Sequence, residues 1–276
     1  MGIHRPGWIA TLLGLLLVGF LLLPLIAVVP VSFTPLRYLS MPQGEWSLTH
    51  YRDLIEDSDW SDSLLLSLQI AVLASIVATV LATAFALGLW YFQPRLRGLL
   101  VGFVLLPMVI PPVVSAMTLY FFLTSVSQVS DWIGYDTWPG VALAHVVVIA
   151  PFAVVVVLVS LAHLDRRIEM AARGMGASLW QRTVRVILPN IAFGIASAAL
   201  LCFVLSWEEI GVTLFITSVD AITLPRRIWM GLRDNIDPAV AAISVLLIAL
   251  TTLVVAARFA WRALAARRRG AVEAGL

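Results

Sequence analysis

"DRRIEMAARGMGASLWQRTVRVILPN", residues 165–190, lies between two long apolar runs and is itself too polar to cross a bilayer. Ile168, Ala171, Ala172 and Met175 recur in it at helical spacing, with arginines on either side of this apolar stripe. The spacing predicts a short amphipathic helix that lies outside the membrane.

The second half of the same stretch predicts a turn and another short helix. Gly176 permits a sharp turn, Ser178 is a suitable N-cap, and SLWQRTVRVI continues as an amphipathic helix. Pro189 then starts the next apolar run. A short helix that carries small alanine side chains and is followed by a sharp turn is suited to dock in the groove of a partner protein.

The composition indicates a membrane protein. Of its 276 residues 61% are hydrophobic and only 12% are charged, whereas soluble domains carry roughly 25% charged residues. A soluble chain of this size could not hide so much apolar surface in one core. The single cysteine, Cys202, lies in an apolar run, so we expect no disulfide framework and assign it a packing role.

All 18 basic residues are arginine, and lysine is absent. A phosphate-binding loop needs a lysine on the nucleotide phosphates and a Schiff-base enzyme needs a lysine amine, so both classes are excluded. A formal net charge of +2 gives no basic face for nucleic acid. The 4 histidines show no ligand spacing, and we expect no metal site.

Six apolar runs are long enough to cross a hydrocarbon core of about 30 Å, which needs roughly 20 residues per helix. The first is too long for the apolar part of a signal peptide, so it is counted as a span. The prolines of PMVIPP, residues 107–112, predict kinks in the third run that serve either as a hinge in a pathway or as a plain bend. The runs cover residues 8–32, 64–92, 99–125, 138–163, 190–216 and 238–262.

Arginine positions orient the six predicted spans. The side rich in arginine is cytoplasmic by the positive-inside rule, and the opposite loops are acidic. Both termini are then cytoplasmic, in one all-α transmembrane domain of residues 1–276 with a cytoplasmic loop at 164–189. The cytoplasmic arginines are Arg5, Arg95, Arg97, Arg166, Arg167, Arg173, Arg182, Arg185, Arg258, Arg262, Arg267, Arg268 and Arg269. Tryptophans near span ends fit interface anchors: Trp8, Trp60, Trp90, Trp138 and Trp261.

The cytoplasmic loop resembles the signature of ABC importer permease subunits, in which Glu-Ala-Ala is followed by three residues, Gly, nine residues and Ile-x-Leu-Pro. Val186 stands for the Ile, and Met170 stands where the family has Glu, directly after Glu169. The resemblance implies that this loop contacts an ATPase. The residues expected to make the contact are Glu169, Met170, Ala171, Ala172, Gly176, Ala177, Leu188 and Pro189.

The resemblance covers most of the chain and extends to the spermidine/putrescine-type permeases, through residues 107–123 and 205–248. It implies the type I ABC importer permease fold in a bacterial inner membrane, a second permease subunit that is a different chain, and an extracytoplasmic binding protein. It also implies an ATPase dimer that carries ATP and Mg²⁺, with no cofactor in this chain. The implied substrate is a polyamine; another organic cation, an amino-acid derivative, iron and a sugar stay open.

Glu208 and Glu209 are adjacent acids in LSWEEIGVTLF, residues 205–215. At 1.5 Å per residue they lie roughly 27 Å into the fifth run. They either mark the outer interface or belong to a substrate pathway, since an intramembrane acid is a functional candidate by default. Neighbouring helical residues point about 100° apart, so we expect one acid to face the pathway and the other to pair with a neighbouring helix or a polar group such as His145. Trp207 offers a ring face to an ammonium group.

Three function classes follow from these observations. The first is a permease, not itself an enzyme, that alternates access as an ATPase moves its cytoplasmic loop. The second is a secondary transporter driven by a proton on Glu208 or Glu209. The third is a scaffold subunit that takes no part in transport.

Overall fold

The computed structural model describes residues 7–235, 237–253 and 256–257, and within them every regular element is helical. The all-α prediction is therefore confirmed. Two π-helical turns, Thr183–Ile187 and Gly231–Asn235, interrupt the series. The helices are α1 Trp8–Val31, α2 Thr49–Glu56, α3 Ser58–Phe92, α4 Arg97–Val109, α5 Pro112–Val126, α6 Trp138–Ala162, α7 Arg166–Gly174, α8 Leu179–Arg182, α9 Leu188–Asn190, α10 Ala192–Trp207, α11 Thr213–Ile216, α12 Leu224–Met230 and α13 Ala239–Leu253.

The chain divides into two compact units, residues 1–61 with 228–276 and residues 62–227. In the first unit, α1 buries none of its residues. Its 24 residues reach about 36 Å at 1.5 Å per residue, enough to cross a hydrocarbon core of about 30 Å. An apolar surface of this extent is stable only in lipid or against another protein.

The segment that follows α1 is held by polar side chains. Ser32 and Tyr51 hydroxyls lie 2.7 Å apart, and His50 Nε2 lies 3.0 Å from the Leu36 carbonyl oxygen. The ring of Phe33 contacts the rings of Trp46 and Tyr51. These contacts give the polar segment between α1 and α3 a defined fold of its own.

The second unit is built around α6, which lies against α10 and α4. Thr137 caps α6 by accepting from the Gly140 amide at 3.2 Å, and Pro139 occupies its first turn, where no amide donor is needed. At Gly194 of α10 the two helices approach so closely that a Cβ atom would overlap the side chain of Ser160. Glycine is required there because only a hydrogen fits between the helices.

Small side chains let α3 enter the same core. Ala74, Ala78, Ala82 and Ala86 recur every four residues on one face of the helix, and each is at most 1% exposed. They share a buried cluster with residues of α6 and α10, among them Val146, Ile149, Val157, Ala198 and Cys202. Cys202 is buried, as a packing residue should be.

The helices bend sharply in the third predicted run and again at the start of the fifth. In the third, α4 and α5 meet at 100°, because Ile110 and Pro111 are extended and each precedes a proline that disfavours helix. The kink predicted at PMVIPP is therefore present. At the start of the fifth, residues 179–190, nearly all of which were predicted in the loop at 164–189, meet α10 at 70°.

Three helices, α1, α3 and α6, are each long and apolar enough to cross a membrane. Counting each bent pair as one span raises the number to five within the described residues. The sixth predicted run, 238–262, begins with α13, and its residues 254, 255 and 258–262 lie outside the described part, as do Trp261 and the arginines at 5 and 258–269. Six spans with both termini in the cytoplasm stay a prediction.

Candidate functional site

The loop at residues 164–189 has the local structure that its sequence predicts. The Asp165 side chain accepts from the Arg167 amide at 2.9 Å and starts α7. Gly176 has φ +83, the left-handed conformation that favours glycine, so the expected turn is confirmed. Ser178 caps α8 through a reciprocal capping box with Gln181.

An ion pair fixes the two helices of the loop to each other. The Arg182 guanidinium donates to the Glu169 carboxylate, and these side chains are only 14% and 16% exposed. Arg182 also lies 5.9 Å above the Tyr91 ring, and the Tyr91 hydroxyl lies 2.9 Å from the Thr183 hydroxyl. The loop is thus attached to the end of α3.

The loop presents an apolar outer surface. Met170 is 56% exposed and Trp180 is 74% exposed, and nothing in the described chain covers them. The predicted coupling residues divide by burial: Met170, Ala171, Gly176 and Pro189 are exposed, Glu169, Ala177 and Leu188 are half-buried, and Ala172 is buried. Ala172 faces its own chain, so it supports the loop from inside.

The two adjacent acids lie at a break in the helix. The fifth predicted run is not one continuous helix, because α10 ends at Trp207 and α11 begins only at Thr213. Glu209 Oε1 accepts from the Val212 amide at 2.8 Å, and the Thr213 hydroxyl donates to the Glu209 carbonyl oxygen at 3.0 Å. These local bonds replace the helical ones over residues 208–212.

Only one of the two acids borders a cavity. Glu209 is half-buried at a cavity of about 230 Å³, whereas Glu208 is exposed and does not line it. Trp207 stacks on Phe203 with ring centroids 6.2 Å apart, so the predicted trio is not gathered at one point. The lining residues come from the α4–α5 bend, α6 and the break: Pro107, Met108, Ile110, Pro112, Ser115, Val148, Ile149, Phe152, Leu205, Glu209 and Val212.

The chemistry of this cavity follows from its walls. One carboxylate and the hydroxyl of Ser115 stand among apolar side chains. A carboxylate in such surroundings attracts a cationic group and accepts its N–H bonds, while the apolar walls accept methylene groups. The α4–α5 bend and the helix break therefore face one another across a space suited to an organic cation.

His145 of α6 holds the two sides of the break together. Its Nδ1 lies 2.8 Å from the Ser206 hydroxyl, at the end of α10, and its Nε2 lies 3.0 Å from the Thr213 hydroxyl, at the start of α11. The expected pairing of His145 with a glutamate is thus replaced by two hydroxyl contacts. Since the Thr213 hydroxyl donates to the Glu209 carbonyl oxygen, it accepts from Nε2–H of His145.

Asp136 organises the segment beyond α11. Its carboxylate accepts from four successive amides, those of residues 218–221: Ser218 and Val219 at 2.7 Å, and Asp220 and Ala221 at 3.1 Å. Partial burial by itself raises the pKa of Asp136, but the four amide bonds outweigh it and hold the pKa below its ordinary value of 3.8.

Arg226 binds the same segment from its carbonyl side. Its guanidinium donates to the carbonyl oxygens of Thr213 and Leu214 at 3.3 Å and also to the carbonyl and hydroxyl of Thr217. Asp136 and Arg226 together hold residues 213–221, directly after the break. Neither residue was predicted to make a specific contact; the one local signal is the position of Asp136, two residues before the Trp138–Pro139 start of α6.

Most of the chain matches a known protein family. The family described as "Binding-protein-dependent transport system inner membrane component" matches residues 78–269. The putrescine transport system permease protein PotI of Escherichia coli K12 is 30% identical over 239 residues, which are 85% of this chain and 84% of PotI. The spermidine/putrescine transport system permease protein PotC of Haemophilus influenzae is 28% identical over 86% of this chain and 90% of PotC.

The chain is also similar to proteins of saccharide transporters. The trehalose transport system permease protein SugB of Mycobacterium tuberculosis is 27% identical over 82% of this chain and 81% of its own length. The crystal structure of a bacterial ABC transporter involved in the import of the acidic polysaccharide alginate contains a chain with a TM-score of 0.70, at 20% identity, over 89% of this chain and 90% of that one. The expected ABC importer permease fold is confirmed by this match.

Proposed function

The chain belongs to the binding-protein-dependent transport system inner membrane component family, and from this premise we propose that it is the permease subunit of an ATP-driven polyamine importer. Members of the family are multi-pass subunits of the bacterial inner membrane and are not enzymes, since a separate subunit carries the ATPase. The observation that carries the substrate proposal is the 30% identity to the putrescine permease over 85% of this chain.

The Glu209 cavity supports a cationic substrate. Its single carboxylate stands among apolar side chains, which matches a molecule that alternates ammonium groups with methylene segments. The helix break at residues 208–212 and the α4–α5 bend lie on opposite sides of this cavity. A movement of the bend toward the break would therefore expel the bound molecule. Permeases for sugars have similar sequences, and an importer of another small solute, such as a sugar, an amino-acid derivative or iron, is the second candidate.

The partners follow from the family and from the loop. An ATPase and a substrate-binding protein are implied by the family; that the ATPase is a dimer bearing ATP and Mg²⁺, and that a different chain supplies the second half of the pathway, are proposals. We assign the ATPase contact to the exposed apolar surface of residues 170–180. The ion pair of Glu169 and Arg182 joins the two helices of the loop, and Arg182 and Thr183 contact Tyr91 of α3. Through these contacts a movement of that surface would pass to α3 and to the bundle.

Uptake by the reconstituted complex tests the substrate proposal. Glu209→Gln should lower putrescine uptake by roughly tenfold to a hundredfold, as expected for about 1.5–3 kcal/mol lost with a charged hydrogen-bond acceptor. Glu208→Gln is the matched control and should leave uptake within twofold. Equal losses in both variants, or a cognate binding protein that captures a neutral sugar, would contradict the cationic substrate.

Two further outcomes separate the other function classes. Uptake driven by a pH gradient without any ATPase indicates the proton-coupled transporter, and uptake that is insensitive to both glutamates indicates a scaffold subunit.

Gly176→Val tests whether the loop contacts the ATPase. Valine at this left-handed position costs about 1–2 kcal/mol, and the variant should co-purify with less ATPase. Gly174→Val is its control, because that glycine has open space around it and no positive φ.

A further inference from the structure

A second cavity lies at the end of the bundle where α3 and α6 finish and α4 and α7 begin. It encloses about 240 Å³ and is lined by two arginines and one tryptophan, Arg97, Arg166 and Trp90, together with apolar residues of α3 and α6. It shares no residue with the Glu209 cavity. Its mixed lining, cationic on one side and aliphatic on the other, requires a ligand that has both characters.

The charges of the two arginines are not neutralised by a carboxylate within the described residues. Arg166 lies over the Trp90 ring at 4.4 Å, and with the Gln93 amide turned to satisfy its bonds, the Gln93 oxygen accepts from the same guanidinium. Both partners are neutral. The nearest acid in sequence, Asp165, is engaged by the Arg167 amide. The Arg166 guanidinium is therefore held in place by neutral partners, and both arginines, which line the same cavity, are able to pair with an anion.

We propose that this cavity binds the phosphate headgroup of an anionic phospholipid, such as phosphatidylglycerol. Guanidinium groups bind phosphate oxygens in a bidentate manner, and basic pockets between membrane helices take such headgroups. Leu158 and Ala162 of α6, which line the cavity, keep part of their surface accessible, and α6 is long enough to cross a membrane, which offers a path for acyl chains. A soluble phosphate ester would gain nothing from these walls.

The proposed site is distinct from the surface assigned to the ATPase. That surface consists of exposed apolar side chains such as Met170 and Trp180, whereas this cavity is cationic and borders the membrane helices. The inference needs only that the chain resides in a membrane and does not depend on the identity of the transported solute. Bound lipid would hold α4 and α7 together at the base of the bundle.

Lipid retention by the purified full chain tests the proposal. In nanodiscs that contain phosphatidylcholine with increasing phosphatidylglycerol, the chain should bind phosphatidylglycerol preferentially. Arg97→Gln and Arg166→Gln should each weaken binding about fivefold, and together roughly thirtyfold, as expected from the usual contribution of one basic residue at an anionic membrane surface. Arg95→Gln, an exposed arginine outside the cavity, should change binding less than twofold.

Fluorescence quenching gives a measurement that needs no arginine variant. Brominated phosphatidylglycerol should quench the emission that is lost in Trp90→Phe, and brominated phosphatidylcholine should quench it much less. Equal quenching by the two lipids, competition by soluble glycerol phosphate, or an equal effect of Arg95→Gln would each overturn the proposal. A loss of co-purifying ATPase with unchanged lipid retention would also overturn it, because the arginines would then contact the ATPase.

Discussion

Replacing Asp136 by Asn tests how the segment after the helix break is held. In the native chain Oδ1 accepts from Ser218 and Ala221, and Oδ2 accepts from Val219 and Asp220. Asparagine keeps one oxygen but turns the other into an N–H donor, so two charge-assisted bonds are lost and two donors face each other. Asp136→Asn therefore removes two of the four hydrogen bonds, and it weakens the other two because their acceptor no longer carries a negative charge.

The size of the effect follows from those bonds. A hydrogen bond to a charged group contributes about 1.5–3 kcal/mol, and water competes at this partly exposed carboxylate. We therefore expect a local loss of about 2–3 kcal/mol instead of the full sum, which lowers amide protection in residues 218–221 by roughly 30- to 140-fold.

Hydrogen exchange of the chain in nanodiscs, read by mass spectrometry on a peptide that covers residues 217–223, measures this change. Asp131→Asn is the control, because Asp131 is exposed and makes none of the four bonds. Unchanged protection in Asp136→Asn, or the same loss in Asp131→Asn, would refute the assigned role.

The same carboxylate sets a pH dependence. Burial acts to raise the pKa of Asp136, but the four amide bonds outweigh it and keep the pKa below 3.8 in the folded chain. A lowered pKa stabilises the fold above the unfolded value, and the stabilisation is lost as pH falls through the folded pKa. Protection of residues 218–221 should thus be constant from neutral pH down to about pH 4 and decline only in stronger acid.

Two further changes test other contacts. His145→Ala leaves the buried hydroxyls of Ser206 and Thr213 without their partner and opens a cavity, so we expect a loss of about 2–4 kcal/mol and a thermal transition lower by roughly 5–15 °C; an unchanged transition would contradict the bridge across the break. Glu169→Gln and Arg182→Gln should each loosen the loop, and a double-mutant cycle on its exchange protection should give a coupling of about 1 kcal/mol or more; additive effects would show that the ion pair contributes nothing.

Local turn chemistry explains why the loop at residues 164–189 was predictable. The left-handed Gly176 and the capping box at Ser178 depend on residues within three or four positions, and the sequence displays them directly. The bend at Ile110–Pro111 was predictable for the same reason, because a proline restricts the residue before it.

The helix break at residues 208–212 could not be found in this way. Apolar residues continue on both sides of it, and no proline marks it. It is fixed by tertiary contacts, since His145 is 61 and 68 residues away from the two hydroxyls that it binds. Hydrophobic periodicity predicted one span, and it carries no information about a hydrogen-bonded bridge from another helix.

The role of Asp136 was missed for a related reason. Its four donors lie 82 to 85 positions further along the chain, and an acid in a polar loop normally faces water. Its own φ of +58, which orients the carboxylate toward that segment, is a conformation that aspartate adopts more readily than most residues. The charge pattern predicts that Asp136 lies on the outer side, but it could not identify what the carboxylate binds.

The close approach of α10 to α6 at Gly194 limits how this subunit can work. Because a Cβ atom at Gly194 would overlap Ser160, relative rotation of the two helices at this contact meets steric resistance, and we expect α6 and α10 to move together. Beside the Glu209 cavity the backbone is non-helical at residues 110–111 and 208–212, and we expect shape change at these two places. A disulfide engineered across either place should arrest turnover, whereas one that joins α6 to α10 should be tolerated.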